Sequence, residues 1–156
     1  ERLVLEGFQA GLSWRTVLAK REAFRAAFEG FSPDAVAAFS TVDVERLTRD
    51  PGIIHNRRKI EAAISNAHAT LAMRNTSEAT DGPSHLGEFV WSYRPTRDPR
   101  PRSHNEVPTQ LPESVALAAD LKSRGFKYVG PTTMLALMAA IGIVNTDIVG
   151  THRRPR

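Results

Sequence analysis

The sequence predicts an all-α protein, and three observations carry that expectation. Apolar residues recur at helical spacing through most of the chain. Helix start and stop signals flank those stretches. No segment alternates apolar and polar residues between hairpin turns. There is no fixed-period repeat and only one core is expected. Residues 1–156 therefore read as a single helical domain, with a loop-rich insertion at 76–110.

The first helix is expected over about Glu1–Ala10, stopped by Gly11. Ser13 is the N-cap for a second helix from Trp14 to about Glu29, with Trp14, Val17, Leu18, Phe24 and Phe28 on one broad face. Ser32-Pro33-Asp34 sets a cap, a first-turn proline and an acid at the positive end of the dipole. It opens a third helix reaching about Phe39. A fourth starts near Ser40 or Thr41, carries Val44 and Leu47, and ends at the Asp50-Pro51-Gly52 turn. The fifth repeats apolar residues at Ile60, Ile64, Ala67 and Leu71 and fades near Asn75. Polar, glycine-containing 77–84 reads as a loop. A short helix fits Leu86–Tyr93, after which Pro95, Pro99 and Pro101 forbid regular structure until about Leu111. Pro112 opens a helix with Val115, Ala118 and Leu121 inward, ended by Gly125. Pro131 opens the last, through Met134, Leu135, Met138 and Ile141 to Gly142.

Composition narrows the function classes. The chain has no cysteine, which excludes disulfides and thiolate metal sites and fits a reducing, cytoplasmic location. No run approaches the roughly 18 apolar residues of a membrane helix, and no secretory leader is visible. The first residue is Glu rather than Met, so an N-terminal part is expected to be missing. Lys and Arg outnumber Asp and Glu 21 to 17, a modest excess held largely in Arg94, Arg97, Arg100 and Arg102 and in Arg153, Arg154 and Arg156. These stretches read equally as solvated loops or as contacts to a polyanion.

Two constellations carry chemistry. Glu6 sits among Leu3, Val4, Leu5 and Phe8, where an unpaired carboxylate is costly. The break at Gly11 can fold Trp14 back onto the same wall. A flat cation would then stack on the indole while the carboxylate accepts its N–H donors. Read separately, Glu6 is also an ordinary helix-surface glutamate and Trp14 an ordinary core residue. The second constellation is Gly125-Phe126-Lys127-Tyr128-Val129-Gly130 between two helices. Free amides at a helix start, near Lys122, Arg124 and Lys127, form an anion site like the helix-hairpin-helix grip on DNA phosphates. The same residues also read as a common helix–helix turn.

Motifs in order then extend along the chain: Leu5-Glu6-Gly7, Gln9-Ala10-Gly11-Leu12-Ser13-Trp14, Thr16-Val17-Leu18 with Lys20-Arg21, and Asp43-Val44-Glu45-Arg46-Leu47. Gly52-Ile53-Ile54, Asn56-Arg57, Lys59-Ile60, Asn66-Ala67, Phe89-Val90-Trp91, Arg124 through Gly130 and Val144-Asn145 follow. The set resembles the 3-methyladenine DNA glycosylase I family, a branch of the helix-hairpin-helix DNA glycosylases, over nearly the whole chain outside 76–110.

The resemblance implies a monofunctional base-excision repair glycosylase. Such an enzyme flips 3-methyladenine out of alkylated double-stranded DNA and hydrolyses its N-glycosidic bond, with no lysine nucleophile. It implies Glu6 as the catalytic, base-recognising carboxylate and Trp14 as the stacking residue. Gly125, Lys127, Val129, Gly130 and Thr132 match the phosphate-gripping hairpin. A monomer in the cytoplasm is expected, with no membrane partner. Three departures stand beside the match. The family's N-terminal segment, which brings pocket-wall tyrosines and zinc ligands, is not in this sequence. The family's C-terminal zinc ligands fall on Asp147 and Thr151, so no structural zinc and no other cofactor is expected. In the last helix Leu135, Ala136, Leu137 and Met138 replace aromatic and polar residues, and His55 stands where arginine is usual. These departures support the alternative of a non-catalytic, degenerate DNA-binding homologue. The modest charge leaves a helical interaction protein as a third reading.

Overall fold

The computed structural model describes residues 1–78 and 85–153, the side chains of 77 and 78 excepted. Helices make up the regular structure, and no strand forms among the described residues. In chain order they are α1 (Arg2–Gln9), α2 (Trp14–Ala19), α3 (Arg21–Ala27), α4 (Pro33–Ala37), α5 (Thr41–Arg49), α6 (Arg57–Glu78), α7 (Leu86–Trp91), α8 (Pro112–Ser123) and α9 (Pro131–Ala140). Short 3-10 turns add Glu29–Phe31 and His104–Glu106.

The expected caps form. Ser13 Oγ accepts from Thr16 N at 3.2 Å and Ser32 Oγ from Ala35 N at 3.4 Å. Ser40 and Asp43 close a reciprocal capping box at the start of α5. Gly11 and Gly125 take φ of +82° and +87°, a conformation that a side chain would strain.

Several expectations need correction. The helix expected from Trp14 to Glu29 bends at Lys20 into α2 and α3, and Lys20 Nζ reaches Pro51 O at 2.9 Å. Val17 is fully buried as expected, whereas Leu18 is 47% exposed. Val115 is 44% exposed because Ser114, Leu117, Ala118 and Leu121 take the inner face, and Val115 stands about 100° round from it. α6 runs past Asn75 to Glu78, so the expected loop at 77–84 begins later; residues 79–84, and Arg154 and Arg156 of the basic tail, lie outside the described residues.

The core is in two parts rather than one. Phe8, Phe24, Phe28, Leu47, Ile53 and Ile60 anchor one cluster, and Leu117, Leu121, Met134, Met138 and Ile143 the other. Burial of this apolar surface drives the fold. α6 joins the clusters, giving Ile60, Ala63 and Ala67 to the first and Ala69 and Met73 to the second. α1 also straddles them: Leu5 and Phe8 belong to the first, while Leu3 packs on the second. Glu6 therefore rides on a helix held from both sides.

Candidate active site and hairpin

Glu6 is 1% exposed, so its burial departs from the surface placement usual for glutamate. Its oxygens are unequally served. Oε1 accepts a hydrogen bond from Arg2 Nε at 3.0 Å and is ion-paired with Nη2 at 3.0 Å, whereas Oε2 is buried without a partner. Burial raises the Glu6 pKa above the ordinary glutamate value, with Arg2 pulling in the opposite direction. The Arg2 guanidinium also lies over the Trp14 ring, 4.1 Å from its centroid. Carboxylate and indole thus converge on one planar cation, the arrangement expected for a ligand, here filled by a side chain of the protein. Trp14 is half-buried at the start of α2, set there by the left-handed turn at Gly11.

Lys59 fixes that turn. It is 9% exposed, and its Nζ donates to Phe8 O at 2.8 Å and Ala10 O at 2.6 Å. These are carbonyls at the C-terminal end of α1 that no further helical turn can satisfy. Burial holds the Lys59 pKa below its usual value.

The hairpin joins α8 to α9 and meets the site through α1. A Cβ on Gly7 would come 3.3 Å from Tyr128 Cβ, so the residue after Glu6 must be small for the hairpin to seat. Tyr128 holds a left-handed φ of 58°, uncommon for a bulky residue. Asn66, 6% exposed on α6, pins the strap twice: Lys127 N donates to Asn66 Oδ1 at 2.7 Å, and Asn66 Nδ2 donates to Lys127 O at 3.1 Å.

Gly130 takes φ −68° and ψ 160° as the N-cap of α9, so its backbone needs no special freedom. A Cβ there would meet nothing within 4 Å, which makes the position open to an approaching ligand. The amides of Val129, Gly130, Thr132 and Thr133 donate to no protein group among the described residues. They stand at the positive end of the α9 dipole. Lys127 and Thr132 are exposed; Val129 buries its side chain and offers only its backbone. Arg124 does not join this group, because its guanidinium stacks 4.7 Å from the Phe89 centroid.

Asp147 and Thr151 do not suit a zinc ion. The Thr151 hydroxyl donates to Ile148 O at 2.8 Å, and a neutral threonine hydroxyl is not a zinc donor. Among the described residues no cluster of His, Asp and Glu has the makings of a metal site. In α9, Leu135, Leu137 and Met138 are buried in the second cluster, so these replacements extend the core.

A family model described as methyladenine glycosylase matches residues 1–154. The chain belongs to the methyladenine glycosylase family. The DNA-3-methyladenine glycosylase 1 of Escherichia coli is 46% identical over 152 residues, which are 96% of this chain and 78% of that protein. A crystal structure of a 3-methyladenine DNA glycosylase I superposes with a TM-score of 0.89 at 46% identity, covering 99% of this chain and 82% of that one. The Staphylococcus aureus 3-methyladenine DNA glycosylase I, solved to explain 3-methyladenine recognition, gives 0.87 at 32% identity, covering 99% and 80%. The all-α expectation and the family resemblance hold.

Arg2, Lys59 and Asn66 join the site without having stood out as functional residues in the sequence. Arg2 had a legible signal, its i, i+4 spacing to Glu6. Lys59 and Asn66 act on segments some 50 to 60 residues away in sequence, and no local pattern marks such partners.

Proposed function

We propose that this chain excises 3-methyladenine from alkylated double-stranded DNA as a monofunctional glycosylase, and that Glu6 selects the base. The observation that carries the reading is a buried carboxylate with one oxygen unpartnered, facing a cation stacked on Trp14.

Methylation at N3 leaves the purine positively charged, which makes it a good leaving group. The flipped base would lie on Trp14 and donate N–H groups to Glu6, so that a neutral adenine would leave the buried charge without compensation. The C1′–N9 bond breaks with both electrons passing to the purine, which becomes neutral. Water adds its oxygen to C1′ and gives up a proton to solvent, leaving an abasic site. The protein supplies orientation and charge selection; no nucleophilic side chain is needed.

In the same reading the free amides of Val129, Gly130 and Thr132, with Gly125 shaping the turn and Lys127 beside it, hold a DNA phosphate. The chain acts as a monomer in the cytoplasm and without structural zinc. No helix among the described residues is long and apolar enough to cross a membrane.

A timed assay for free 3-methyladenine from methylated duplex tests the reading. Salt-sensitive duplex binding with no base released would replace it with the non-catalytic homologue. Lys127→Ala should weaken binding to damaged and undamaged duplex alike, and lower the slope of log affinity against log salt by about 1. An unchanged slope removes Lys127 from the phosphate contact.

A further inference from the structure

We propose that Arg2 is a specificity-determining residue that occupies the base subsite of the free protein, so that a damaged base enters only by replacing it. The inference rests on the base-selecting role given to Glu6 and goes beyond it. Arg2 makes both interactions that the subsite offers. It donates to Glu6 Oε1 from Nε at 3.0 Å, its Nη2 is ion-paired with the same oxygen at 3.0 Å, and its guanidinium lies 4.1 Å from the Trp14 centroid. A guanidinium is planar, carries delocalised positive charge and presents N–H donors along its edge. Those are the features by which an N3-methylated purine would be told from adenine.

The occupancy is built to be given up. Arg2 is 35% exposed, so its head can move into water, whereas Glu6 is 1% exposed and cannot. Arg2 serves only one of the two carboxylate oxygens, and the buried Oε2 keeps an acceptor site that a ligand with more N–H donors can fill. A cationic base therefore replaces what it displaces and adds a contact. A neutral base would expel a cation from beside a buried carboxylate and supply none. Arg2 thus sets a threshold against undamaged bases, at the cost of weaker binding of the damaged one.

The test compares wild type, Arg2→Ala and Arg2→Met, each carrying Trp91→Phe so that emission reports Trp14 alone. Each is titrated with 3,9-dimethyladeninium, whose N9-alkylated ring keeps the positive charge of the damaged nucleoside, with adenine and with methylguanidinium, alongside release of 3-methyladenine from methylated duplex. Both variants should bind 3,9-dimethyladeninium about tenfold more tightly, the factor expected when a stacked, ion-paired competitor is removed. They should lose part of the preference over adenine. Methylguanidinium should bind Arg2→Ala and restore the wild-type emission, and should leave wild type unaffected. Unchanged or weaker 3,9-dimethyladeninium binding in both variants, with no response to methylguanidinium, overturns the proposal and leaves excision standing. A methylguanidinium response without base release from any of the three proteins supports the occupancy and removes the excision reading. Arg2→Met keeps an unbranched chain on the helix, so loss of fold in one variant does not decide the matter.

Discussion

Glu6→Gln should cut the release of 3-methyladenine from methylated duplex by about thirty- to a hundredfold, the value of a hydrogen bond to a charged group in a buried site. Binding to undamaged duplex should change by less than about twofold, because the hairpin amides that contact phosphate are untouched. Single-turnover release and a duplex-binding titration on the same preparations check both halves. Equal release by the two proteins would remove Glu6 from base selection.

The same carboxylate fixes a pH dependence. Burial sets its pKa above the ordinary glutamate value, and base selection needs the ionised form. Release should therefore fall on the acid side as pH drops through a midpoint above the usual glutamate range, and that limb should vanish in Glu6→Gln. Stability runs the other way. A raised folded pKa means that the folded state holds the proton more tightly than the unfolded chain does. The contribution is fully present below the unfolded pKa and is lost as pH rises through the folded one. Above that folded pKa the ionised Glu6 is then a burden on the fold, and there Glu6→Gln should melt at or above the wild-type temperature. A melt that fell with activity would mean that the substitution had damaged the helix rather than the chemistry.

Asn66→Ala should have the largest effect on stability of the residues considered. It strands both the N–H and the C=O of Lys127, which now pair with the Asn66 amide at 2.7 and 3.1 Å. Loss of two such bonds from a side chain 6% exposed costs about 2 kcal/mol, or about 4 to 8 °C in Tm for a chain of this length. Duplex affinity should fall as well, since the strap between α8 and α9 loses its anchor. Asn66→Asp retains the acceptor for Lys127 N and should recover part of both losses. Full duplex affinity in Asn66→Ala would show that the hairpin holds its shape without α6.

Local signals in the sequence carried most of the helices. Ser13, Ser32 and Ser40 marked starts that the structure confirms, and the glycines at 11 and 125 marked turns that take positive φ. Glu6 and Trp14 were also legible, because a carboxylate among apolar neighbours and an indole after a glycine break are anomalies that ask for an explanation. Whatever depended on the phase of a face was less secure: Leu18 and Val115 are exposed because neighbouring positions, Val17 in one helix and Ser114 and Ala118 in the other, take the buried face. The division of the core could not be read, since Leu3 and Leu5 look alike in sequence and pack on different clusters. Lys59 and Asn66 are buried polar residues whose partners are backbone atoms of distant segments, and backbone atoms have no sequence signature.

The placement of α1 between the two clusters has a consequence for recombination among relatives. Its eight residues carry side chains that must match one core through Leu5 and Phe8 and another through Leu3. A chimera that takes its beginning from one family member and its remainder from another inherits a helix fitted to both of its former neighbours. The chimera that preserves the packing would therefore bring α1, α6 and α9 from the same parent, even though they are far apart along the gene.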